Sequence, residues 1–482
     1  MPRIHLKRPF TGSSAAPGAD GAAGEAIAFG AVGPADVASA WSPAASNGPT
    51  LTTLVTFKGA DGSEPSGDLI ADARGDLFGM TAVGGADNVG AVFEIAMTAS
   101  GYRARPTTLV SFTGADGRYA NGSLIADANG DLFGMTTAGG ADDDGVVFEI
   151  VKTPHGYAST PTTLFSFTGA DGQFPYGSLI IDSAGDLLGT TGRGGTVGDG
   201  TVFEIAKTPH GYVGAPTTLV NFTGADGQAP NADLIADARG DLFGTTGAGG
   251  ADGDGTVFEI VKTPHGYAAG PTTLASFTDA NGSLPLGSLV ADAAGDLFGT
   301  TASGGAEGDG TVFEIVKTPH GYASAPTTLV SFTGADGKYL YGGLIIDAAG
   351  NLFGTTWGGG AHGDGTVFEI ARTKHGYAAT PTTLISFKGG NGDSLRGTLY
   401  ADAAGVLFGT TTGGGPNFAG TVFEITNSGF VPPAVPPCPA VVGAFAQAMA
   451  TIGGAAVATP VGGAVRNVGQ STLLIAPRGV SV

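Results

Sequence analysis

Gly200-Thr201-Val202-Phe203-Glu204-Ile205 is one copy of a unit that recurs along the chain, with Phe93, Phe148, Phe203, Phe258, Phe313, Phe368 and Phe423 in register at intervals of 55 residues. A second marker, the phenylalanine that closes TTLVSF and its variants, falls at Phe57, Phe112, Phe167, Phe222, Phe277, Phe332 and Phe387, again 55 apart. A fixed period of this kind marks one repeat array whose neighbouring units share a core, so the 482 residues are not a row of independent domains.

Within one unit four short β-branched and apolar runs follow one another. They are strand a in GSLVADA from Gly287, strand b in DLFGTT from Asp296, strand c in TVFEIVKT from Thr311 and strand d in TTLVSF from Thr327. The turns between them have local causes. Asp292-Ala293-Ala294-Gly295 carries its acid first and its glycine fourth, the preference of a type I turn, and Thr263-Pro264-His265-Gly266 places proline second, where its fixed φ suits the same turn. Both predict hairpins, and therefore an antiparallel four-stranded blade. Phe313 and Ile315 point to one face of strand c and Val312 and Val316 to the other, so both faces need cover from neighbouring blades.

A lone blade of this size cannot bury enough apolar surface to offset its ordering entropy. Seven copies of a four-stranded unit predict an all-β, seven-bladed β-propeller. The ends predict how the ring closes: an extra d-type strand stands at residues 50–57, and the last unit stops at strand c, residues 421–425. Pairing the opening strand with the last blade removes two exposed sheet edges. Residues 1–48 read as a flexible leader rich in Ala, Gly, Ser and Pro, 49–427 as the propeller, and 428–482 as a Pro-rich linker with an Ala/Gly-rich tail.

Composition agrees: hydrophobic residues make up 42%, charged residues only 13% and glycines number 87, which suits short strands and tight turns. The net charge of −21 repels phosphate backbones and argues against a nucleic-acid partner. Cys438 is the only cysteine, which excludes an intrachain disulfide and a thiolate metal cluster. The leader shows no standard secretory signal, and the tail segment PAVVGAFAQAMATIGGAAVAT, with four glycines, is marginal as a membrane span. Membrane contact, where there is any, is assigned to that tail.

The patterns TTLVSFTGADG, GSLIADAAGDLFGTT and GGAxGDGTVFEI resemble the bacterial GloVer (Gloeobacter–Verrucomicrobia) tandem repeats, over residues 50–426. The resemblance implies a propeller in a secreted or cell-surface protein and carries no catalytic residues with it. The chain departs from the family pattern in showing no sorting signal with a Pro-Glu-Pro box.

Candidate chemistry lies in the loops. His155, His210, His265, His320 and His375 each stand third in their own c–d turn, one per blade, which does not converge on a metal. The glutamates of FEI, such as Glu259 and Glu314, read as architectural, with hydrogen-bond partners expected on a neighbouring strand or blade. Asp142 and Asp144, Asp252 and Asp254, and Glu307 and Asp309 place carboxylates in Gly-rich b–c loops, an arrangement open to calcium; equally, such residues cap their own turns.

The d–a loops hold four freely varying positions, and alternation of strand direction puts them on one face with the b–c loops. That face gathers Tyr119, Phe174, Tyr176, Tyr339, Tyr341 and Trp357 with Arg118, Arg193, Lys338 and Arg396, the aromatic and cationic mixture of contact surfaces. No nucleophile paired with a base, phosphate loop or zinc helix is visible. The sequence therefore predicts a monomeric, non-enzymatic scaffold without a cofactor, taking a protein or glycan ligand on the variable-loop face. A ligand-free structural protein and a polysaccharide hydrolase or lyase with its site in the propeller mouth are the alternatives.

Overall fold

Strands b and c pair in register over five residues in each unit, as Leu187–Thr191 does against Thr201–Ile205. The computed structural model, which describes residues 48–433, repeats this pair in seven four-stranded antiparallel sheets of order a-b-c-d. In the third blade strand a is Ile180–Ile181 and strand d is Thr217–Asn221. Val202 pairs with Val220 and Phe203 with Thr218, so strand d bulges at Leu219, a device that increases local twist. All seven sheets carry the same bulge between strands c and d.

The core is divided into seven clusters, each shared by two consecutive blades. Ile180, Leu188 and Val202 of blade 3 pack against Leu242, Phe258 and Ile260 of blade 4. The same arrangement joins blade 7 to blade 1, where Phe408 and Val422 meet Leu69, Leu77 and Phe93. Strand c thus buries valine toward one neighbour and phenylalanine with isoleucine toward the other. Val316 departs from that reading: it lies just past strand c (Thr311–Ile315) and is 37% exposed.

Closure follows the predicted route. The opening strand, Thr50–Thr56, pairs antiparallel with Thr421–Thr426 from Thr50↔Thr426 to Thr56↔Thr421.

Beyond strand c the chain adds a small hairpin, Lys262–Thr263 against Gly266–Tyr267 in blade 4. Its tyrosine reaches back over the preceding blade: Tyr212 meets Phe133 edge-on at 5.4 Å and Tyr322 meets Phe243 at 5.5 Å. Blade 7 has no such hairpin, because its strand d comes from the other end of the chain. Phe430 takes the vacant place, 5.2 Å from Phe353 of blade 6. Ala348 N–H donates to the Val431 carbonyl (2.8 Å) and the Ser428 hydroxyl to the Gly405 carbonyl (3.1 Å), so the start of the segment read as a linker lies on the propeller. The leader, up to residue 47, and the tail from 434, with its marginal span, lie outside the described residues.

Candidate ligand-binding site

The four varying positions of each d–a loop are less free than the sequence suggests. The first bridges its own blade's b–c loop, as Lys338 does to Gly358. The second is held in the left-handed region in all seven blades, with φ of 58° at Tyr119, 55° at Phe174 and 61° at Tyr339. Its N–H donates to the b–c loop of the preceding blade: Tyr339 to the Asp309 carbonyl at 2.9 Å, Phe174 to that of Asp144 at 3.0 Å. The third is a buried Pro, Ala or Leu in every blade. Backbone roles therefore restrict what looks like free variation, and the side chains of positions one, two and four carry the individuality of each loop.

Position four converges. Ser66, Asn121, Tyr176, Asn231, Leu286, Tyr341 and Arg396, one from each blade, ring the mouth of an axial channel with a cavity volume of about 90 Å³. Two residues further on, each blade passes a backbone N–H to the side chain of the next. Asp68 donates to the Ser123 hydroxyl (2.7 Å), Ser123 to that of Ser178 (2.8 Å), Ser178 to the Asp233 carboxylate (2.6 Å) and Asp233 to the Ser288 hydroxyl (3.2 Å). Gly343 interrupts the relay, which resumes with Gly343 to Thr398 (3.0 Å) and Thr398 to Asp68 (2.6 Å). Burial, with Asp233 as a like charge, pushes the Asp68 carboxyl up to about 7 against the hydrogen bonds from Thr398 and Ser123; burial also raises Asp233.

At the rim of this mouth, blades 6 and 7 assemble five of the predicted contact residues. Trp357 lies 6.0 Å from Tyr339 and 6.4 Å from Tyr341, measured between ring centroids. Lys338 Nζ sits 5.2 Å over Tyr339, and the Arg396 guanidinium 5.3 Å over Tyr341. Tyr176 shares the mouth from blade 3 and is 46% exposed. Arg118 lies over Tyr119 at 5.3 Å but is ion-paired with Asp143, with an Nε to Oδ1 distance of 2.9 Å. Phe174 and Arg193 belong to blade 3 and make no aromatic or ionic contact with the blade 6–7 cluster; the Arg193 backbone pairs with Gln173.

The b–c carboxylates are mostly engaged in loop structure. Asp144 accepts the Gln173 amide at 2.8 Å, while the carbonyls of Asp144, Asp254 and Asp309 receive the next blade's d–a loop. Asp142, Asp252 and Glu307 are exposed. Among the described residues, three carboxylates come within metal-binding reach only on the opposite face, at Asp182, Asp186 and Glu204. There Lys262 Nζ already lies 3.3 Å from Asp182, and Asp186 accepts the Lys207 N–H at 2.7 Å.

Among the strand c glutamates, Glu424 has a hydrogen bond from Thr52 of the paired strand and Glu259 has the Arg239 guanidinium 4.0 Å away, whereas Glu149 and Glu204 depart from expectation. Instead of hydrogen-bond donors, Glu149 and Glu204 have the a–b turn aspartates beside them; burial first and then Asp131 or Asp186 push these carboxyls up. Lys262 is directed away from Glu259 and toward Asp182 of the preceding blade. The turn histidines act through their backbones, as His265 N–H does in donating to the Thr263 hydroxyl at 3.3 Å.

Sequence reading missed Asp68 and Asp233, which sit among Ser, Thr and Gly at one recurring position. It also missed Phe418, 82% exposed in the blade 7 b–c loop. A signal existed: Phe418 stands where the repeat has Gly253 and Gly308, and like them has positive φ, 55°.

The family model described as Gloeobacter/Verrucomicrobia repeat matches residues 40–213, 154–325 and 318–432. A search of curated proteins returns no match. Among solved structures, the PQQ-bound aldose sugar dehydrogenase of Streptomyces coelicolor is 14% identical with a TM-score of 0.39, covering 78% of this chain and 98% of that one. A protein described as a 6-phosphogluconolactonase, from Bacteroides fragilis, is 15% identical with a TM-score of 0.45, covering 66% and 82%. An oxidoreductase described as a glucose dehydrogenase, from Thermus thermophilus, is 12% identical with a TM-score of 0.39, covering 78% and 100%.

Proposed function

The chain belongs to the Gloeobacter/Verrucomicrobia repeat family, and from that premise we propose that it is a non-enzymatic binding scaffold, secreted or surface-associated, that engages its ligand with the variable-loop face. One observation carries the reading. Trp357, Tyr339, Tyr341, Lys338 and Arg396 meet at one place on the axial rim, whereas the counterparts of Trp357 in the other blades are Ala82, Thr137, Gly192, Gly247, Ala302 and Thr412. Half-buried aromatic rings grouped with an exposed guanidinium supply contact area with few rotamers to freeze.

A second reading, hydrolysis or elimination on a polymer, draws on the raised carboxyls of Asp68 and Asp233. Against it stands the size of the channel, about 90 Å³ where ligand pockets run to about 300 Å³ or more. Both carboxylates are also committed to the hydrogen-bond relay.

A thermal-shift panel of glycans and peptides, with and without calcium, tests the proposal. A ligand that raises the melting temperature of the native chain but not of Trp357→Ala supports it. A ligand whose effect survives Trp357→Ala and Tyr339→Ala unchanged contradicts it, and a calcium shift without any ligand would return the loop carboxylates to consideration.

A further inference from the structure

Resting on the binding reading above, we infer that the rim site of blades 6 and 7 recognises an acidic oligosaccharide, a chain of sugar rings bearing carboxylates. Charge gives the first argument. Unlike Arg118, which Asp143 neutralises, and like Lys317 and Arg372 of the opposite face, Lys338 and Arg396 have no carboxylate within ion-pair distance among the described residues of a chain whose net charge is −21. Each lies over a tyrosine ring instead, which holds the cation in place and removes part of its water without neutralising it. Asp393, at the first varying position of the blade 7 loop, pairs through its backbone with Gly413 and forms no ion pair with either cation. Two anchored, unneutralised cations flanking one indole favour an anion.

Backbone geometry selects the class of anion. The loop amides at the site are already used: Lys338 N–H donates to Gly358, Gly358 to Lys338, Trp357 to Tyr339 and Tyr339 to Asp309, all within 3.1 Å. An extended peptide bound by strand addition has no free edge to pair with here. Recognition must come from side chains, and the half-buried Trp357, packed edge-to-face with Tyr341 at 85°, offers an indole surface of the kind against which the C–H faces of pyranose rings pack. Carboxylates on those rings then meet Arg396, whose planar fork binds them bidentately, and Lys338.

The chain has two tryptophans, so Trp41→Phe leaves Trp357 as the sole indole reporter. In that background, oligogalacturonate, oligoglucuronate, their carboxyl-reduced neutral counterparts and poly-glutamate are titrated against Trp357 fluorescence. The inference predicts saturable change with at least one uronate oligomer and affinity about tenfold weaker for its neutral counterpart, one order of magnitude per 1.4 kcal/mol. Lys338→Gln with Arg396→Gln should erase that difference, and Arg118→Gln should leave it intact.

Equal affinity for charged and reduced oligomers overturns the acidic-sugar inference while leaving the scaffold reading in place. Poly-glutamate binding as tightly as the uronate overturns it in favour of a peptide, and no response to any uronate oligomer overturns it outright. The scaffold reading fails on a separate result, a ligand whose thermal shift survives both Trp357→Ala and Tyr339→Ala unchanged.

Discussion

The Asp68 carboxylate accepts the backbone N–H of Thr398 at 2.6 Å, joining residues 330 apart in sequence across the seam between blades 1 and 7. The N-terminal strand closes the outer edge of the last blade, and this bond closes the ring at its axis. Elsewhere around the axis the acceptors are the hydroxyls of Ser123, Ser178, Ser288 and Thr398 and the carboxylate of Asp233, so Asp68 places a titratable group in a position that also holds the ring shut.

That group predicts a pH dependence. Its folded-state carboxyl is raised from an ordinary 3.8 to about 7, so the folded form holds a proton over a range in which the unfolded chain has lost it. The contribution is fully present below pH 4, falls as pH rises toward 7 and is gone above. Melting temperature of the native chain should decline across that window more steeply than that of Asp68→Asn, measured by calorimetry in buffers of equal ionic strength. Parallel curves would show that Asp68 titrates normally.

Phe430 should be a stability residue despite its position in the segment first read as a linker. It is 9% exposed and fills over Phe353 the place that Tyr322 fills over Phe243. Phe430→Ala is expected to cost about 3 kcal/mol in denaturant unfolding, with the exposed Phe418→Ala within about 0.5 kcal/mol of the native chain.

Blade 1 contains a correctable defect. Thr81 Oγ1 is buried without a hydrogen-bond partner: Ala91 stands where blade 3 has Thr201, whose hydroxyl lies 2.8 Å from that of Thr191, and the bond to the carbonyl two residues on, which Thr136 makes to Ala138 at 2.9 Å, is not formed. The same hydroxyl pair forms in blades 4 to 7. Ala91→Thr should therefore stabilise the chain by about 1 kcal/mol, read as a raised denaturant midpoint at unchanged slope.

The fold was legible because the period is strict: the phenylalanines in register fix the number of blades, and the unpaired strand at one end meets the unfinished blade at the other. The site was legible only in part. Trp357, Tyr339 and Tyr341 stood out as departures from the repeat, and the structure brings them together with Lys338 and Arg396. Arg118 stood out equally, yet Asp143, in the b–c loop of the same blade, neutralises it. Phe174 lies a blade away from Arg118 and away from the cluster, since a repeat list gives blade number but not the inward or outward set of a side chain. Asp68 and Asp233 were hidden for the opposite reason: they occupy an unremarked slot that becomes significant only when seven blades bring it to one axis.

Hydrogen–deuterium exchange of the full chain, with and without a ligand taken from the panel, tests most directly the claim that binding belongs to the variable-loop face. The account predicts slowed exchange at residues 338–341, 357–358 and 393–398, and none at the hairpins of the other face. Protection confined to those hairpins, such as Lys262–Thr263 and Gly266–Tyr267, would contradict it.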